Sequence, residues 1–160
     1  MRAAATGTFY LRSRVRSAEI TDGQSTTLLI GERAHGRLDP LTQQDHHGWY
    51  HGTGDTCFTT FNPINPWRVT KTFAASLSYP NGYTLSASSF HPGGANFAFA
   101  DGSVRFIRED IDSWTIDPET GRPQGVTGNF ATPYQLKPGV RLGVYQALST
   151  RNGREAVGDF

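Results

Sequence analysis

The chain has one cysteine, Cys57, and one methionine, Met1. A single thiol excludes an intrachain disulfide framework and a multi-cysteine zinc site, while leaving the redox compartment open. Long apolar runs are missing as well. The longest aliphatic run is Leu28-Leu29-Ile30, far short of the roughly 18 residues that a membrane-spanning helix needs. Residues Met1 to Gly7 lack the apolar centre of a signal peptide, so the chain as given shows no export signal. No charge of one sign dominates either. Fifteen basic residues against fourteen acidic ones leave a formal charge of +1, which gives no field to favour nucleic acid or an anionic membrane surface.

What the sequence does contain is turn chemistry. Eighteen glycines and nine prolines accompany many Phe, Tyr and Thr residues, a mixture that favours short strands joined by turns over long helices. With 36% hydrophobic residues the chain is apolar enough to fold. Its 160 residues suit one core. The expectation is a single, β-rich α+β domain built on an antiparallel sheet with long irregular loops.

Between Gly7 and Arg16, Phe9, Leu11 and Val15 alternate with Arg12, Arg14 and Arg16, which predicts an edge strand. Asp22-Gly23 marks a turn, and Thr26 to Ile30 reads as a buried strand, with a short helical turn from Asp22 as the alternative. Residues 35–66 show no sustained period and read as a long loop insertion. Val144 to Leu148 fits one or two helical turns closed by Asn152-Gly153.

Local pattern and turn chemistry agree best at residues 96–107, where Asp101-Gly102 separates Asn96-Phe97-Ala98-Phe99-Ala100 from Ser103-Val104-Arg105-Phe106-Ile107. Asp-Gly between alternating runs signals a hairpin with a two-residue loop. That loop would set Phe99 opposite Val104 and Phe97 opposite Phe106, gathering all four on one face. No amphipathic helix of three or more turns is evident to cover such a face, which suggests a missing element.

The same region resembles a known family. Ser89-Phe90-His91-Pro92-Gly93-Gly94-Ala95-Asn96, followed by Asp101-Gly102-Ser103-Val104-Arg105-Phe106-Ile107, has nine residues between His91 and Asp101. It is similar to the prepilin-type processing-associated H-X9-DG family, domain of unknown function 1559, with the hairpin at residues 89–107. Gly7-Thr8-Phe9, Ile20 to Glu32 and Tyr145 to Glu155 resemble further stretches of that family, in its order. The resemblance implies the C-terminal head of a non-enzymatic, pseudopilin-like envelope protein linked to type II secretion or a surface filament. It also implies an extracytoplasmic, membrane-anchored location and contacts with other pseudopilin or secretion-apparatus subunits through an N-terminal helix. This sequence shows neither leader nor helix, so Met1 is expected to be internal to a longer reading frame, making 1–160 a partial domain.

Several constellations invite chemistry. His91 and Asp101 invite a reading in which they share a proton or ligand, yet Asp suits a hairpin turn and His91 opens a Pro-Gly-Gly corner; His91, Gly93, Gly94, Asn96, Asp101 and Gly102 therefore read as structural motif residues. His46, His47, His51 and Asp55, with Cys57 nearby, are candidate zinc ligands of a metal-dependent hydrolase, but their spacing fits no standard zinc site. Trp49 and Tyr50 in the same loop are candidate contacts for a carbohydrate or solute. Asp110, Asp112, Asp117 and Glu119 offer oxygens for calcium, as in the C-terminal loops of some pseudopilins, but lack EF-hand spacing. No cofactor and no catalytic residue is assigned.

Overall fold

A computed structural model describes residues 6–10, 12–34, 57–78, 82–129, 132–154, 157–158 and 160. The elements are β1 (Leu28–Gly31), α1 (Phe73–Ser78), α2 (Gly82–Leu85), β2 (Gly94–Phe99), β3 (Val104–Arg108), β4 (Val126–Asn129), β5 (Thr132–Leu136) and α3 (Val144–Ala147). Strands β1, β2 and β3 form an antiparallel sheet in that order, and β4 and β5 form a separate two-stranded one. The class is α+β as expected, with a modest share of strand.

The sheet is amphipathic. Alternation along β2 turns Ala95, Phe97 and Phe99 inward, where they meet Leu28, Ile64, Ala87, Ile107, Tyr145 and Leu148. Phe97 makes edge-to-face contacts with Phe58 at 5.8 Å and Tyr145 at 6.1 Å between ring centroids. Each buried phenylalanine contributes about 1.5–3 kcal/mol. A second aromatic group holds the helical side of the chain: Tyr83 lies edge-to-face with Trp67 and Phe73, and its hydroxyl donates to the Ala34 carbonyl at 2.8 Å.

The hairpin differs from the sequence expectation by one residue. Phe97 faces Arg105, Ala98 faces Val104 and Asn96 faces Phe106. The loop has three residues, Ala100-Asp101-Gly102, with the Gly102 N–H donating to Phe99 O at 3.0 Å and the Phe99 N–H to Ser103 O at 2.9 Å. Only Gly102 takes positive φ, +84°. This is a type I turn followed by a left-handed glycine, in place of a type I′ turn with two left-handed residues. Neighbouring backbone selects it. Ala100 N–H donates to Thr27 O and Asp101 N–H to Gln24 O, while the Asp101 carboxylate accepts from both Ser103 N–H and Ser103 Oγ.

The shift separates the four apolar residues. Phe97 and Phe99 are 1% exposed, whereas Val104 and Phe106 are 68% and 46% exposed on the opposite face. Ile30, Ala98 and Val104 stand side by side across that outer face, and Ile30 is 65% exposed. The cover that Phe97 and Phe99 require comes from Ile64, Tyr145 and Leu148 of this same chain, so the argument for a missing element drawn from those two rings does not hold.

Gly7 to Arg16 is not a strand in its described residues; it is irregular, with Phe9 62% exposed, and is followed by a 3-10 turn at Ser17–Glu19. Three arginines against three apolar residues leave too little to bury there. Both readings after Asp22 are realised in part: a 3-10 turn at Gln24–Thr26 leads into β1. In the segment 35–66, residues 35–56 lie outside the described ones, while Ile64 is a core residue and Asn62 and Asn65 are buried. Helix α3 sits where helical turns are predicted but ends at a Leu148 cap, before Asn152-Gly153. Among the described residues no helix is long and apolar enough to cross a membrane.

Candidate functional site

The segments with family-like sequence contact one another around the sheet. Glu32 follows β1 directly, and its carboxylate accepts the Asn96 backbone N–H at 2.8 Å and the Asn96 Nδ2 at 3.0 Å. His91 Nε2 lies 3.4 Å from the same carboxylate. Partial burial pushes the Glu32 carboxyl upward, but the two Asn96 hydrogen bonds and the adjoining His91 outweigh it and hold the group below its ordinary range. A side chain at Gly94 would meet the Ile107 carbonyl at 2.1 Å, so β2 and β3 need glycine there.

Behind His91 the network continues inward. Ser89 Oγ accepts the His91 N–H at 2.8 Å, and Asn65 Oδ1 accepts the Ser89 N–H at 2.8 Å. Asn65 Nδ2 donates to Glu109 Oε2 at 2.8 Å, and Arg68 pairs with the same oxygen at 3.1 Å. Asn65 is fully buried in a left-handed conformation, φ +52°, which asparagine tolerates better than most residues. The arrangement pins the loop before β2 and consumes its donors and acceptors.

The other family-like stretches join by backbone. The Asp22 carboxylate accepts from Thr150 Oγ1 at 3.0 Å, Gly153 N–H at 2.6 Å and Arg154 N–H at 2.9 Å. Thr21 and Asp22 N–H groups donate to Arg151 O, Arg151 N–H to Thr6 O, and the Arg151 guanidinium to Gly7 O. Leu28 N–H donates to Leu148 O at 2.8 Å. Segments far apart in sequence thus close one framework.

His91 and Asp101 are not neighbours. They stand at opposite ends of the six-residue β2, about 20 Å of extended chain apart. Asp101 serves the turn, its carboxyl held low by the Ser103 side chain and backbone. The candidate calcium oxygens are likewise engaged: Asp110 pairs with Arg108, Asp112 with Arg141, Glu119 with Lys71, and Asp117 accepts the Glu119 and Thr120 N–H groups. Among the described residues no group of three or more His, Cys, Asp or Glu residues is placed to hold a metal ion. His46, His47, Trp49, Tyr50, His51 and Asp55 lie outside the described residues. Cys57 is exposed.

A cleft of about 510 Å³ lies elsewhere, lined by Asp112, Trp114, Thr115, Gln124 and Arg141 among others. Its floor is fixed to α3, since Gln146 accepts the Trp114 N–H and donates to Ser113 Oγ and Thr60 O. Trp114 Nε1 is committed to Phe61 O at 2.7 Å.

Sequence reading singled out His91, Asn96 and Asp101 but not Glu32, Asn65 or Glu109. Glu32 carried a signal, standing within the stretch Ile20 to Glu32. Asn65 carried another, as an asparagine before proline in Asn62-Pro63-Ile64-Asn65-Pro66.

A family model, SBP_bac_10, described as a protein of unknown function (DUF1559), matches residues 1–113. The chain belongs to this family. The match takes in the DUF1559 stretches at Gly7 to Phe9, Ile20 to Glu32 and Ser89 to Ile107. The stretch from Tyr145 lies beyond the matched residues, yet it is the partner to which Asp22 and Leu28 are bonded. No curated protein and no solved structure matches the chain.

Proposed function

We propose that this DUF1559 chain is the globular head of a pseudopilin-like envelope protein, acting by assembly beside a secretion apparatus or surface filament and not by turnover of a substrate. One observation carries the reading: Asp22, Glu32, Asn96, Asp101 and Arg151, all in family-like stretches, direct polar atoms to backbone groups, to one another and to further side chains of those stretches. Such residues define a scaffold. The natural partners are other pilin-type subunits, and the head is extracytoplasmic. The test is the DNA upstream of the Met1 codon together with fractionation of epitope-tagged protein in the native cell. An in-frame prepilin leader with an apolar helix, and tag in the envelope fraction, is the expected result; tag confined to the cytosol with no such leader contradicts it.

A second reading, a solute-binding module, is favoured by the cleft at Trp114 and Arg141. A glycan array and a Trp114→Ala variant test it. Array binding abolished by that substitution supports the module, and no binding removes it.

A further inference from the structure

The two edges of the three-stranded sheet are finished differently. On β1, register shifts between Leu28 and Ile30, and the outward Leu28 N–H is taken by Leu148 O. Strand β3 has no such cover. Ladder bonds from Phe99 to Ser103 and from Glu109 to Gly93 fix its phase, so that Val104, Phe106 and Arg108 direct their N–H groups away from β2. Among the described residues these N–H groups have no acceptor, and neither Val104 O nor Phe106 O has a donor. The strand contains no proline and no irregular register, two devices that ordinarily blunt an exposed edge.

Unpaired groups at alternate residues match the hydrogen-bonding repeat of another extended backbone. We propose that the occupant is a second copy of this chain, pairing β3 with β3 antiparallel about a twofold axis at Phe106. In that register Phe106 exchanges hydrogen bonds with Phe106 of the second copy, and Val104 with its Arg108. Arg108 O already accepts the Ile111 N–H, but a carbonyl has a second lone pair.

Overlap selects this register, because an axis at Phe106, the middle of Val104–Arg108, pairs all five strand residues, and charge is compatible with it. Directly opposed pairs are Val104 with Arg108, Arg105 with Ile107 and Phe106 with Phe106, so no cation faces a cation. A slip of two residues in one direction would oppose Arg105 to Arg105, which is unfavourable; the opposite slip would oppose Arg105 to Glu109 but pair only Phe106 to Arg108 of the two strands. Here Arg105, which stacks over Phe99 at 4.6 Å and makes no ion pair among the described residues, lies diagonal to Glu109 of the second copy. The outer row of Ile30, Ala98 and Val104 is then met by Arg108 of the second copy, and the two Phe106 rings adjoin at the axis beside it. Five residues of strand make a small interface, so the dimer is concentration-dependent. This inference does not rest on the envelope reading.

Sedimentation equilibrium of the 160-residue chain should show a monomer–dimer equilibrium. Phe106→Pro removes an outward N–H without touching the ladder to β2, and Phe106→Glu opposes two carboxylates; each should abolish the dimer while circular dichroism stays unchanged. For register, Phe106→Cys in a Cys57→Ser background should form an interchain disulfide on mild oxidation, because hydrogen-bonded partners sit about 5.5 Å apart at Cα. Val104→Cys should not, since the two copies of residue 104 lie about 13 Å apart along the strands. A monomer at every concentration, equal cross-linking of the two variants, or a dimer surviving in a folded Phe106→Glu chain would overturn the proposal.

Discussion

The two faces of the three-stranded sheet are built from the same kinds of residue yet end in opposite environments. Phe97 and Phe99 of β2 are sealed by Ile64, Tyr145 and Leu148, while Phe106 and Val104 of β3, only a turn away, face solvent. The difference follows from a single extra loop residue. With period-2 side chains, one added residue between strands moves every β3 side chain to the other face. Hydrophobicity therefore does not locate this core; register does, and register is chosen by Asp101, Gly102 and the carbonyls of Gln24 and Thr27.

The contrast can be broken most forcefully on its buried side. Phe97→Ala should cost about 3–5 kcal/mol in denaturant unfolding, whereas Phe106→Ser, on the open face, should stay within about 0.5 kcal/mol. Similar losses at both sites would mean the faces are assigned wrongly. Next in size is the polar anchor. Asn65→Ala leaves the buried Ser89 N–H without its acceptor and should destabilise by about 1–3 kcal/mol, again by chemical denaturation.

Tyr145 sharpens the comparison from within the core. Its hydroxyl is fully buried with no hydrogen-bond partner among the described residues, and burial raises its pKa. Tyr145→Phe keeps the ring against Phe97 and should leave stability unchanged or raise it by about 1 kcal/mol. A marked loss would reveal a role for that oxygen.

The smallest effect concerns pH. Glu32 is held below its ordinary value of 4.5 in the folded chain, so its contribution is fully present above that value and is lost as pH falls through the lower folded-state value. Asp101, Asp110, Asp112 and Asp117 are displaced in the same direction. Thermal stability should thus fall below about pH 4.5, and Glu32→Gln should flatten part of that acid limb. An unchanged acid limb in the variant would remove Glu32 from the account.

Much of this was legible from residues. The α+β class, the strand after Asp22, the hairpin at Asp101-Gly102 and the helical turn at Val144 follow from turn chemistry and β-branched runs. The hairpin register was not legible, because Asp-Gly serves both a two-residue loop and the last positions of a three-residue one. What decides between them is contact with residues 24 and 27, which lie more than seventy positions away. The candidate site was half legible. His91 and Asn96 stood out by spacing, but their shared partner Glu32 and the deeper Asn65 are joined only by the fold. Helix α1 escaped notice because Phe73-Ala74-Ala75-Ser76-Leu77-Ser78 is short and weakly amphipathic, and packing of Phe73 on Tyr83 supplies what its pattern lacks.

Cross-strand proton contacts in an NMR spectrum of the labelled chain reach the heart of the matter. Close approach of the α-protons of Ala98 and Val104, and of Asn96 and Phe106, is expected where Cα atoms lie about 4.5 Å apart in non-hydrogen-bonded pairs. Contacts linking Phe99 with Val104 and Phe97 with Phe106 instead would place all four apolar side chains on one face and contradict the structure's division of the sheet.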